Sequence, residues 1–294
     1  MKVYSIGYNG NGQRFFDYLN EKNKYIHSFF FNPTNNFYKN INWKEEVINF
    51  ENFNTYDYEA NILFNLNVNL ESRDILRAYL NLNKLNLTSV TVLNQISIDM
   101  FKKIKKGLKY HISVNTPINS VKELTASFKI EDIYCINLGY KYIFDLSFME
   151  QIKKLGIKVK IIPNEMCVYD REEFLNQINK KACVKNEYCK EKCWDVLTDD
   201  FEWINLTRQG FNQLFLSYFE DRVDIIKLST RGLKLNEIDK LITSFVIKCD
   251  SNYFNRYLIP ESISNEFIDM RFSCKHNCFE CRYCERIFNE YIKE

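Results

Sequence analysis

His111-Ile112-Ser113-Val114-Asn115, Ile133-Tyr134-Cys135-Ile136-Asn137-Leu138 and Val159-Lys160-Ile161-Ile162 are three short apolar runs that each end in polar or turn residues. Between them lie Val121–Phe128 and Phe148–Lys154, whose apolar residues recur at helical spacing. Strands alternating with helices in this way call for parallel pairing through right-handed crossovers. Working outward, strands are also predicted at 2–7, 26–32, 61–68, 88–94 and 222–229, which with 111–115, 131–138 and 157–163 makes eight. Helical patterns mark Glu71–Leu82, Ile98–Lys106 and Leu235–Phe245 as well. Eight such units predict an α/β protein, a (β/α)8 TIM-like barrel; an open doubly wound sheet is the alternative.

The chain of 294 residues suits one such barrel, and 46% hydrophobic residues with 24 Phe and 19 Tyr supply a core without staples. Forty basic against 38 acidic residues leave a net charge of +2, too even to mark a nucleic-acid surface. No apolar run is long enough to span a bilayer, and Met1–Ser5 lacks the apolar core of a secretory signal. A cytoplasmic protein is therefore expected. Ten cysteines in such a reducing compartment point to metal or redox chemistry, because structural disulfides rarely persist there.

Eight of the ten cysteines form two groups. Cys167, Cys183, Cys189 and Cys193 fall in the connection 164–221 after the seventh strand, far longer than an ordinary βα loop. A single loop of that length is able to fold four thiolates around one cluster. The second group, Cys274-x3-Cys278-x2-Cys281-x2-Cys284, packs four thiols into eleven residues at the head of a tail that ends in a short amphipathic helix. The predicted organisation is thus a barrel domain over 1–273, which includes the loop 164–221, and a cysteine-rich metal-binding tail over 274–294. Thiolate softness and ferredoxin-like spacing favour [4Fe-4S] clusters, one or two; zinc is the competing ion, since x2 pairs also suit tetrahedral sites. The radical SAM spacing within 274–281 is a coincidence, with only thirteen residues following Cys281 and Glu280 standing where an aromatic is expected. Cys135 and Cys249 read as packing residues.

Several pieces of the chain resemble the barrel family of collagenase-like peptidases: His111-Ile112-Ser113-Val114-Asn115-Thr116-Pro117-Ile118, Ile136-Asn137-Leu138-Gly139, Lys160-Ile161-Ile162-Pro163-Asn164-Glu165-Met166-Cys167, and Val223-Asp224-Ile225-Ile226-Lys227-Leu228-Ser229-Thr230-Arg231-Gly232. Members of that family include the anaerobic ubiquinone hydroxylase pair and proteins that hydroxylate ribosomal or transfer RNA. The resemblance implies that Cys167, Cys183, Cys189 and Cys193 ligate a four-iron cluster and that prephenate serves as oxygen donor. The tail cysteines are outside that pattern, so a second cluster there would suggest electron transfer particular to this branch.

Asn115, Glu165, Lys227 and Arg231 come from predicted strand ends, where barrel side chains converge. Lys227 and Arg231 suit a carboxylate, Arg as a bidentate fork and Lys as a point charge. Glu165 suits a general base or a residue that orders the cluster loop. A structural ion pair between Lys227 and Glu165 is the competing assignment. His27 and His111 read as satisfied strand residues, and His276 is a candidate substitute ligand in the tail. No His-Glu-x-x-His, Gly-x-Ser-x-Gly, phosphate loop or Gly-x-Gly-x-x-Gly occurs. The expected function is an iron–sulfur enzyme for oxygen-independent hydroxylation or a related redox modification of a small-molecule or RNA substrate, with a protein partner subunit possible. The alternatives are a zinc-stabilised binding protein without catalysis and a peptidase.

Overall fold

Every apolar run predicted as a strand is a strand in the computed structural model, which describes residues 3–8, 13–22, 24–31, 58–64, 86–116, 118–139, 142–163, 219, 221–230, 233–246, 261–273 and 281–291. The strands are β1 (Val3–Gly7), β2 (Ile26–Phe31), β3 (Glu59–Phe64), β4 (Leu87–Val92), β5 (Lys109–Ile112), β6 (Ile133–Asn137), β7 (Lys158–Ile161) and β8 (Ile225–Leu228). They pair in parallel and in chain order, and β8 pairs back onto β1, closing a barrel. The predicted (β/α)8 architecture is the one observed. Closure leaves no free sheet edge.

Helices α1 (Gln13–Glu21), α2 (Gln95–Ile104), α3 (Val121–Ser127) and α4 (Leu146–Lys154) fall between strands, and α5 (Leu235–Val246) follows β8. The prediction at Glu71–Leu82 lies outside the described residues. Their starts are written in side chains: Asn94 caps α2 by accepting from Ser97 N at 2.9 Å, and Ser120 caps α3 by accepting from Glu123 N at 3.2 Å. Glu123 turns back to accept from Asn119 N at 2.7 Å, a capping box displaced by one residue. Gly156 ends α4 in the left-handed conformation, φ 76°, which lets the chain reverse directly into β7. The outward residues of the strands and the inward stripes of the helices form the core. Val90, Val92, Ile112, Val159, Ile161 and Ile226 are all fully buried, as are Phe101, Leu124 and Ile152 on the helices.

The chain divides into two compact units, one holding Met1–Leu138, Phe148–Ile162 and Arg222–Leu235, and therefore the whole barrel sheet. The other holds Gly139–Ser147, Pro163–Asp221 and Asn236–Glu294. Within this second unit, helix α6 (Glu261–Ser273) carries a buried Arg271 whose guanidinium lies 4.7 Å from the ring centre of Phe144. Phe272 meets Phe144 and Phe219, each at 5.6 Å between ring centres. Helix α7 (Tyr283–Tyr291) is the amphipathic helix predicted at the end of the chain, with Cys284, Ile287 and Phe288 on its buried face. No helix among the described residues is long and apolar enough to cross a membrane.

Candidate active site

A parallel barrel strand is expected to be apolar on both faces, yet one face of these strands carries polar groups at alternate positions: Ser5, Ser28, Asn61, Ser89, His111 and Lys160 are all buried. Register aligns them across the sheet, with Ser5 beside Ser28, Asn61 beside Ser89, and Thr91 beside His111. Hydrogen bonds show that this face is the lumen. Asn61 Nδ2 donates to Ser89 Oγ at 2.7 Å, and Thr91 Oγ1 donates to Asn61 Oδ1 at 2.8 Å. Lys160 Nζ lies 2.7 Å from His111 Nδ1, although β6 separates their strands in the sheet. Only side chains directed into the barrel can meet across an intervening strand.

The lysine nitrogen brings N–H to this contact, so Nδ1 accepts and the ring proton resides on Nε2. Nε2 is buried and has no hydrogen-bond partner among the described residues. The sequence expectation of a satisfied strand histidine is therefore corrected for His111. The same holds for Nδ1 of His27. Burial holds His111 well below the ordinary imidazole range, and the positive charges of Lys160, Lys227, Lys109 and Lys158 press the same way, so the ring is neutral. Burial also lowers Lys160, against weaker support from Cys135 and Glu59. Cys135, predicted to be a packing residue, is fully buried and its thiol is pushed up to about 12 by burial.

Toward the C-terminal ends of the strands lie the two described members of the predicted catalytic set. Lys227 is 6% exposed and stands beside Ser5 in register; its Nζ sits 4.0 Å from the ring centre of Phe30 on β2, reaching across β1. Gly7 makes that approach possible. A Cβ there would fall 3.0 Å from Thr230 Oγ1 and 3.1 Å from the Phe30 ring. Thr230 Oγ1 in turn accepts from Gly7 N at 2.7 Å and donates to Gly7 O at 3.1 Å, tying the end of the β8 segment to β1. Asn115 is buried just beyond β5, its N–H donating to Ser113 Oγ at 3.1 Å. Nearby, Asn137 Nδ2 donates to Ile112 O at 2.6 Å, and its buried Oδ1 has no partner among the described residues.

Glu165, Arg231, Cys167, Cys183, Cys189, Cys193, Cys274 and Cys278 lie outside the described residues, as do His276 and Cys249. Of the tail group, Cys281 is exposed and Cys284 is buried in the first turn of α7. Among the described residues no three metal-ligating side chains gather. The residues that sequence reasoning passed over are His111 and Lys160, together with Asn61 and its two hydroxyl partners. Their signal was present as polar letters at alternate positions of apolar strands, as in Leu87-Thr88-Ser89-Val90-Thr91-Val92 and Lys158-Val159-Lys160-Ile161.

No protein-family model matches the chain, and no curated protein matches its sequence. Among solved structures, that of the U32 peptidase Mk0906 is similar, with a TM-score of 0.50 and 9% identity over 79% of this chain and 94% of that one. At that identity the likeness establishes a shared barrel fold, with a protein described as a peptidase.

Proposed function

We propose that the chain is a divergent barrel enzyme of the collagenase-like type that carries an iron–sulfur cluster and performs oxygen-independent hydroxylation or a related redox modification. The observation that carries this reading is the position of the first cysteine group. Cys167, Cys183, Cys189 and Cys193 all belong to the connection between β7 and β8, and βα connections of this length are where barrel proteins place function. The structural likeness to a U32 peptidase supports the barrel on which the reading rests.

Cys167, Cys183, Cys189 and Cys193 would hold the cluster, and Cys274, Cys278, Cys281 and Cys284 a second one. The donor set suits the group: four thiolates in each case, with no hard oxygen ligand required. The tail offers a backbone feature as well. Arg282, between Cys281 and α7, has a left-handed φ of 49°, and turns of that kind gather backbone N–H groups into a concavity that favours anionic iron–sulfur sites. When bound, such a cluster supplies one-electron transfer. Lys227, with Arg231, would bind a carboxylate of the substrate or of an oxygen donor such as prephenate; Asn115 would orient it, and Glu165 would serve as base or order the loop. A biosynthetic intermediate or an RNA base is the substrate class this reading implies.

The test is the visible spectrum of protein purified without oxygen. The reading expects a brown protein whose absorption bleaches on reduction. A colourless protein with stoichiometric zinc would replace it with a structural or binding role.

A further inference from the structure

Below the cross-barrel contact of His111 and Lys160 a cavity of about 700 Å³ opens among the first residues of the strands, including Ile26, Glu59, Lys158 and Ile225. It thus occupies the N-terminal half of the barrel, the end at which barrel proteins do not ordinarily build active sites. Its volume is that of a small-molecule site.

The chemistry of its walls is one-sided. Lys160 is 4% exposed, and no carboxylate among the described residues lies in ion-pair contact with its Nζ. His111 contributes a neutral ring whose Nε2–H is buried without an acceptor among the described residues, an arrangement that folded proteins rarely leave unfilled. Ser5, Ser28 and Ser89 add hydroxyls. Lys158, also on the lining, donates to Tyr134 Oη at 2.8 Å, and the Tyr134 ring stacks on His111 at 5.6 Å. Glu59 is the one carboxylate among the described lining residues, and it is engaged with Lys109 at 3.2 Å. Lys158 and Lys160 therefore outnumber the single carboxylate among the described lining residues, and that carboxylate is paired with Lys109.

We propose that this cavity is a binding site for a small organic oxyanion, a carboxylate or a phosphate, held by Lys160 beside His111 and drawn in past Lys158. The site stands on the described barrel residues alone. It does not depend on the cysteine groups, so failure of one proposal leaves the other standing.

The experiment uses full-length protein, purified without oxygen and labelled with 15N-histidine, titrated separately with succinate and with inorganic phosphate. His111→Asn assigns the His111 ring resonance among those of the three histidines. Saturable movement of His111 Nε2 is expected with at least one probe. Succinate alone would identify a carboxylate site, phosphate alone a phosphate site, and both the shared oxyanion chemistry. Lys160→Met should weaken the responding probe about tenfold or more, the loss expected of a charge-assisted hydrogen bond. Lys158→Met, at the entrance, should weaken it less and covers the case in which the buried substitution prevents folding. No saturable movement with either probe, or unchanged affinity in folded Lys160→Met, would overturn the proposal and leave a water-filled polar lumen.

Discussion

Replacing His111 with asparagine removes one titrating ring from the lumen while leaving an acceptor opposite Lys160, and its effect should depend on pH in a calculable way. In the folded protein burial, and after it the positive charges of Lys160, Lys227, Lys109 and Lys158, hold the ring neutral well below its ordinary range. In the unfolded chain it titrates near the ordinary value of 6.5. Unfolding below that pH therefore takes up a proton, and stability is lost as pH falls toward the depressed folded value. The slope approaches about 1.4 kcal/mol per pH unit. Integrated between about pH 7.5 and about pH 5.5, the wild-type protein should lose roughly 1.4 kcal/mol that His111→Asn does not lose. Urea unfolding followed by far-UV circular dichroism at the two pH values, under nitrogen, reads the difference of differences, so any pH-independent penalty of the smaller side chain cancels. Equal pH dependence in the two proteins would mean that the ring is charged, or solvated, in the folded barrel.

Gly7→Ala should destabilise the protein by about 1–3 kcal/mol, because Thr230 Oγ1 is bound at both ends of Gly7 and cannot retreat from the new methyl. A midpoint in urea unchanged from wild type would contradict that packing. Asn61→Ala breaks the bonds to Ser89 and Thr91 inside the lumen and should also cost about 1–3 kcal/mol, again read from urea midpoints; a neutral result would mean that water replaces the amide without loss. Lys227→Ala should leave the visible spectrum of the purified protein intact while weakening prephenate binding by about tenfold or more, measured calorimetrically. Binding as tight as in wild type would remove Lys227 from the assigned site.

All eight strands were legible because each is a compact apolar run bounded by polar residues, and helices α2 to α5 and α7 because their apolar residues keep helical spacing. Helix α1 was not. It follows Asn9-Gly10-Asn11-Gly12, a run of turn formers that masks its start, although Phe15, Phe16 and Leu19 form one buried helical stripe. Helix α6 places Phe267, Ile268, Met270 and Phe272 around most of its circumference, so no single face declares itself. Lys227 could be singled out as a charge near a strand end. Lys160 and His111 could not, since an inward polar residue of a closed barrel and an outward one of a half-exposed strand look the same until closure is known. Closure depends on β8 pairing with β1 across more than two hundred residues, a relation that no local pattern encodes.

An iron–sulfur centre held by the cysteines of the β7–β8 connection is proposed here, and the content of iron and acid-labile sulfide per chain, in protein purified without oxygen, decides for or against it. About four iron with matching sulfide are expected if the loop group alone is filled, or about eight if the tail is filled too, with loss of about four on substituting Cys167, Cys183, Cys189 and Cys193 together by serine. Absence of iron and sulfide from the wild-type protein, or iron unaffected by those four substitutions, would contradict it.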